Sequence, residues 1–176
     1  HFIHLINVKA HHEKVRDHYE IKHDLGKGKF GSVVLAQDKK NSSTLYAIKI
    51  VNKNNPTDEE YKINRWESTI FSILKNISHP NVIKCYKKFE NEKNIFFVYE
   101  YVKGSDLKIF TQIHGATSNM NTVIDISLQI IKGIACLHKY GIIHRDIKTT
   151  NILIESSRTN KTENNVKIID FGLSRV

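Results

Sequence analysis

Eight residues from His144 to Asn151, "HRDIKTTN", bring two bases, an acid, a lysine and an amide together directly after the apolar pair Ile142 and Ile143. A buried loop would not tolerate so many unpaired charges, and a plain surface loop has no need of that assortment. The set suits phosphoryl transfer. Asp146 can position an attacking hydroxyl and accept its proton, and Asn151, five residues on, can give an amide oxygen to a metal ion. Lys148 can neutralise charge on a migrating phosphoryl group. Nineteen residues after Asn151, "DFG" offers Asp170 as a hard carboxylate ligand for Mg2+.

Upstream, "LGKGKFGSV" sets Gly26, Gly28 and Gly31 in a G-x-G-x-x-G pattern, where glycine lets backbone N–H groups approach a phosphate closely. A dinucleotide-binding fold would continue into a helix. Here the β-branched "SVVLAQ" follows, and no acid lies about 20 residues further on. Strand, loop and strand with Phe30 at the tip favour a lid over ATP phosphates; a merely structural glycine hairpin is the alternative. In "YAIKI", Lys49 sits mid-strand among apolar residues, where an ammonium costs free energy unless something anionic meets it. A surface lysine on an edge strand is the bland reading. With a glycine loop two strands earlier, a phosphate is the better partner.

These groups need elements to hold them. Tyr19 to Leu25, Ser32 to Gln37 and Leu45 to Val51 are short β-branched or aromatic runs separated by turn sequences, which reads as antiparallel strands. Asp58, Glu59 and Glu60 suit a helix N-terminus, and Ile63, Trp66, Ile70, Ile73, Leu74 and Ile77 then recur at helical spacing. "SHPN" stops that helix. Val82 to Phe89 and Ile95 to Tyr101 complete a five-stranded sheet with one helix. After "KGSD" come a short helix, Leu107 to His114, and a long one from about Thr122 to Tyr140. The long helix has an apolar face of Val123, Ile126, Ile130, Ile131, Ile134 and Leu137, and Gly141 closes it in a left-handed conformation. Ile152 to Ile154 and Val166 to Ile169 are two short strands around a polar insertion. The class is α+β, with an extension over residues 1–18, a β-rich part over 19–102 and a helical part over 103–176.

Composition narrows the classes. The chain has 176 residues, 40% of them hydrophobic, enough for one ordinary domain or two small lobes. Its 27 Lys and Arg against 18 Asp and Glu give a formal charge of +9, but the bases are spread along the chain without an aromatic-basic motif, so nucleic acid is not the expected partner. Cys85 and Cys136 lack metal-ligand spacing and read as buried free thiols in a reducing, intracellular compartment. His1, His4, His11, His12 and His18 lack a tight metal spacing too. The apolar runs fall short of the roughly 20 residues that span a bilayer. A chain starting at His1 with Met120 as its only methionine reads as an excerpt.

From Tyr19 to Val176 the chain resembles the eukaryotic protein kinase family, through the glycine loop, Lys49, "HPN" at His79 to Asn81, "HRDIKTTN" and "DFG" in that order. Lys148 is similar to the serine/threonine class. The stretches "VRDHYEIKHDLGKGKFG", "ILKNISHPNVIKCYKKFE" and "DFGLS" resemble the calcium/calmodulin-regulated group, above all calcium-dependent protein kinases. The resemblance implies a bilobal fold that uses ATP and Mg2+ to phosphorylate protein Ser/Thr hydroxyls. By the same resemblance Leu25 and the three glycines cover the nucleotide, and Val33 and Ala47 roof its adenine over Leu153. Glu100 and Val102 supply backbone hydrogen bonds, Asp106 reaches the ribose, and Asn151 and Asp170 hold the metal. Tyr99 takes the gatekeeper position, where its bulk closes the rear pocket to large inhibitors.

Two departures bear on activity. Family members usually carry a helix glutamate nine residues before the histidine of "HPN", a place that falls on Ile70; Glu67, three residues earlier on nearly the same face, is the substitute. The chain also stops four residues after Gly172, before an activation segment, although Arg145 suggests a phosphate-clamped loop. The long helix is therefore expected to expose apolar surface, and this chain alone is expected to be inactive and to bind nucleotide weakly at best. A kinase-like regulator that binds nucleotide or partners without turnover is the rival reading. Calcium control rests on likeness alone.

Overall fold

A computed structural model describes residues 14–28, 31–53, 58–115, 119–155 and 164–176, with backbone alone at 28 and 58–65. Phe30, the first four histidines of the lead-in and most of the polar insertion lie outside these residues, as do the side chains of Asp58, Glu59 and Glu60. The chain divides into two units, His1–Asn64 with Cys85–Tyr101 and Arg65–Lys84 with Val102–Val176.

The first unit holds the five-stranded antiparallel sheet expected from the sequence. Its strands are β1 (Tyr19–Gly28), β2 (Gly31–Asp38), β3 (Leu45–Asn52), β4 (Cys85–Glu90) and β5 (Asn94–Glu100), in the order β1-β2-β3-β5-β4. Side chains alternate along each strand, and residues directly opposite one another share a face. One face carries Val34, Ile48 and Val98 in register, and with Tyr19 and Phe89 they form a buried core. Val15, in the short helix α1 (Val15–His18), joins that core at 5% exposure. The last residues of the expected extension thus cover the sheet, because a β-branched side chain there meets an aromatic cluster in which Tyr19 and Tyr46 stack edge to face.

Turn chemistry fixes the register. Asp38 accepts the N–H groups of Lys40 at 2.7 Å and Asn41 at 3.2 Å, which folds "DKKNSST" back into β3. Asn91 does the same for Lys93 at 2.9 Å and Asn94 at 2.7 Å between β4 and β5. In the glycine loop Gly28 pairs with Gly31, whose φ is +146°, and a Cβ at 31 would strike the Ile50 carbonyl.

The helix α2 (Asp58–Leu74) runs through the boundary between the units. The second unit adds α3 (Leu107–His114), α4 (Met120–Lys139) and a three-stranded antiparallel sheet of β6 (Gly104–Asp106), β7 (Ile152–Glu155) and β8 (Asn165–Ile168). Two details differ from the sequence reading. The last three residues of "KGSD" form the strand β6, held by backbone pairing to β7 and so carrying no hydrophobic signature. The apolar run from Val82 is split: Val82 makes a lone parallel bridge to Ile168, and β4 begins only at Cys85.

Asn119 caps α4 by accepting the Thr122 N–H at 2.9 Å, so the helix starts before Thr122. Gly141, at φ +73°, ends it: its N–H donates to the His138 carbonyl and that of Ile142 to the Leu137 carbonyl, a Schellman arrangement. Only Ile126, Gly133 and Leu137 of α4 are buried, whereas Val123 is 50% and Ile131 60% exposed. The expected open apolar surface is there. At 20 residues with a mean hydropathy of 1.3, α4 meets the length and composition of a membrane-crossing helix, a test that core helices of globular proteins also pass. Cys85 is buried and Cys136 only partly so; both are free thiols.

Candidate active site

In the first unit the expected nucleotide-contacting residues share the sheet face opposite Val34 and Ile48. Lys49 lies between Val33 on β2 and Phe97 on β5, and Ala47 lies between Leu35 and Tyr99. Val33, Ala47, Lys49 and Tyr99 are thereby brought to one face by the two-residue period alone. Lys49 is 9% exposed and Phe97 fully buried, so the ammonium rises from an apolar floor. Gly26 pairs with Val33 next to this face, and Leu25 is 41% exposed. Glu100 ends β5.

The second unit assembles the candidate catalytic loop. Asn151, buried in a 3-10 turn over Thr149–Asn151, donates through Nδ2 to both the Asp146 carbonyl and the Asp146 Oδ2, each at 2.9 Å. Lys148 Nζ donates to the same Oδ2 at 2.8 Å. The Asp146 carboxylate, first of all, and then Asp170 raise the Lys148 ammonium above its ordinary pKa, which keeps it charged. Since Nδ2 of Asn151 is spent on Asp146, its Oδ1 is the atom left to face a cation. That oxygen and the Asp170 carboxylate are the hard donors Mg2+ prefers, and two protein ligands leave room for phosphate oxygens and water. The residues fit the metal the sequence implies.

His144 organises this loop, a role the sequence reading did not assign beyond quoting it in the motif. Its Nδ1 accepts the Asp146 N–H at 3.2 Å, so Nε2 carries the proton and donates to the Ile169 carbonyl at 3.0 Å. The ring packs edge-on against Phe171 at 4.9 Å. Ser174 donates to the His144 carbonyl at 3.1 Å, and the Ile169 N–H donates to the Asn151 carbonyl at 3.0 Å. Asp146 and Asp170 therefore hang from one hydrogen-bonded frame. Arg145 and Asp170 sit beside that frame with left-handed φ of 68° and 61°.

Burial holds the His144 imidazole below its ordinary pKa, against the opposing pull of the Ile169 carbonyl and both aspartates. A protonated ring would also point Nδ1–H at the Asp146 N–H. An unfolded histidine titrates near 6.5, so just below that pH the unfolded chain binds more protons and stability falls until the folded ring is protonated too. Urea unfolding should show a lower midpoint at pH 5 than at pH 7.5, and His144→Gln should flatten part of the difference. His79, also held low by burial first and then by Lys167 and Lys132, keeps its own share in both chains.

The remaining expected residues are placed but not gathered. Leu153 lies in β7 opposite Asp106 and Lys167. Asp106 caps α3, its Oδ1 accepting the Ile109 N–H at 2.9 Å; Val102 is buried. Ile70, at the usual glutamate place, is a core residue at 0% exposure, and among the described residues of α2 the buried acid is Glu67 at 1%.

A family model described as the protein kinase domain matches residues 19–176. The chain belongs to the protein kinase family. It is 40% identical over 161 residues to the serine/threonine-protein kinase cds1 of Schizosaccharomyces pombe, covering 90% of this chain and 33% of that protein. It is 37% identical over 160 residues to calcium-dependent protein kinase 4 of Plasmodium falciparum, covering 85% and 27%. NUAK family SNF1-like kinase 2 of Rattus norvegicus is 34% identical over 171 residues, covering 96% and 25%. The relatives are serine/threonine kinases, with calcium-dependent kinases among them, as the motifs imply. The chain spans a quarter to a third of their lengths.

Proposed function

We propose that this chain supplies the nucleotide-binding sheet and catalytic loop of a serine/threonine protein kinase that transfers the γ-phosphoryl group of ATP to protein hydroxyls. The observation that supports it most is the triple contact at Asp146, where Asn151 and Lys148 share Oδ2. With Oδ2 occupied, Oδ1 of Asp146 is the atom that orients a substrate hydroxyl and takes up its proton. Lys148 lies at bonding distance from that carboxylate and balances negative charge as the phosphoryl group moves. Asn151 and Asp170 would hold Mg2+, which when bound neutralises phosphate charge. Lys49 meets phosphate from the sheet. Glycines 26, 28 and 31 are assigned to the nucleotide with Leu25, and Val33 and Ala47 of the first unit and Leu153 of the second are assigned to its adenine. The backbones of Glu100 and Val102 and the free oxygen of Asp106 complete its recognition. Protein partners carrying Ser or Thr and an intracellular setting belong to the same proposal.

Glu67, a buried acid among the described residues of α2, is the residue assigned the role of the glutamate that Ile70 replaces. Ile70 supports the rival reading, a kinase-like regulator without turnover. Thermal shift with Mg2+ and ATP tests the site. The wild type should gain stability, whereas Lys49→Ala, Asp170→Ala and Glu67→Gln should each lose most of the gain. Equal shifts in all four chains would defeat the assignment.

A further inference from the structure

Gln129 plays no part in the proposed chemistry, yet its carboxamide uses its whole hydrogen-bonding capacity. Oε1 accepts from Asn81 Nδ2 and from the Val166 N–H, both at 3.0 Å. Nε2 donates to the Asn164 carbonyl at 2.6 Å and to Asp125 Oδ2 at 2.9 Å. An amide has two donors and two acceptor positions, and all four are filled.

The partners lie along one line. β7 pairs with one edge of β8, and among the described residues the other edge carries the lone bridge to Val82 and no named strand. That outer edge is closed by Gln129 on the Val166 N–H, by Asn81 Nδ2 on the Val166 carbonyl at 2.9 Å and by the Asn81 carbonyl on the Ile168 N–H at 3.0 Å. The Ile83 N–H closes it at the Ile168 carbonyl, at 3.1 Å. Gly133, one turn after Gln129, lets α4 come this near: a Cβ there would lie 2.8 Å from the Asn81 carbonyl oxygen and 2.7 Å from Ile168 Cδ1. Two residues beyond β8 is Asp170, and between them Ile169 is bonded to Asn151 and His144.

We infer that Gln129 is a positioning residue for Asp170: its carboxamide stands in for a missing strand along β8 and sets where the metal-binding carboxylate is delivered. The inference rests on the proposed role of Asp170, and the test separates the two. The full chain is compared as wild type, Gln129→Leu, Gln129→Glu and, as a control on the exposed flank of α4, Leu128→Ala. Amide hydrogen exchange is followed over residues 165–170, and thermal shift with a non-hydrolysable ATP analogue is titrated with Mg2+. Gln129→Leu should speed exchange in that segment and raise the Mg2+ midpoint by about 10-fold or more, with metal-free nucleotide binding unchanged. Gln129→Glu, which keeps both accepted bonds and loses both donated ones, should fall between, and Leu128→Ala should match the wild type. Unchanged exchange overturns the inference. Faster exchange with an unmoved midpoint also overturns it, leaving Gln129 a structural clamp. A wild type without any Mg2+ response overturns the proposed function and the inference together, whereas a responsive wild type matched by Gln129→Leu overturns the inference alone.

Discussion

Replacing Asp146 with Asn is expected to lower the proposed phosphoryl transfer by about 10²- to 10⁴-fold while leaving the proposed Mg·ATP affinity in place. The amide oxygen of an asparagine can still accept from Asn151 Nδ2 and Lys148 Nζ, so the two bonds that now end on Oδ2 survive. What disappears is the group proposed to take up the hydroxyl proton. Transfer to serine- and threonine-containing peptides, with nucleotide affinity measured on the same preparation, checks this. Unchanged turnover would remove Asp146 from the chemistry, and a parallel loss of affinity would point to a damaged loop instead.

The second large effect concerns the sheet. Phe97 is fully buried opposite Lys49, so Phe97→Ala should destabilise the protein by about 3–5 kcal/mol through lost transfer energy and the cavity left behind. That is a large part of the roughly 5–15 kcal/mol that holds an ordinary domain together. Ile131→Ala, at a site 60% exposed on α4, should by contrast stay within about 0.5 kcal/mol of the wild type. Urea unfolding of both variants gives the comparison. A Phe97→Ala cost as small as that of Ile131→Ala would mean the floor beneath Lys49 is not packed.

The grouping of the candidate catalytic residues was legible because their contacts are local. Asp146, Lys148 and Asn151 lie within six residues, and the bonds among them span two to five positions. The sheet was legible because one face of it is buried and writes a two-residue period into the sequence. Strand β6 was not, since Gly104, Ser105 and Asp106 contribute backbone bonds and nothing hydrophobic. Gln129 was invisible for a different reason: its partners Asn81 and Val166 lie 48 and 37 residues away, and a lone glutamine in an apolar helix has no local pattern. Val15 was hidden by polar neighbours that made its segment look like a tail.

The left-handed backbone at Arg145 and Asp170 has a consequence for how such a chain can change. Glycine would relax either position, because it reaches positive φ without the steric penalty a side chain meets there. Substitutions that made the loop sturdier would therefore be the same ones that delete its working groups. Variants chosen for heat resistance alone would drift toward glycine at these two places and lose the side chains assigned to the chemistry first, so ruggedness and reactivity are opposed at both positions.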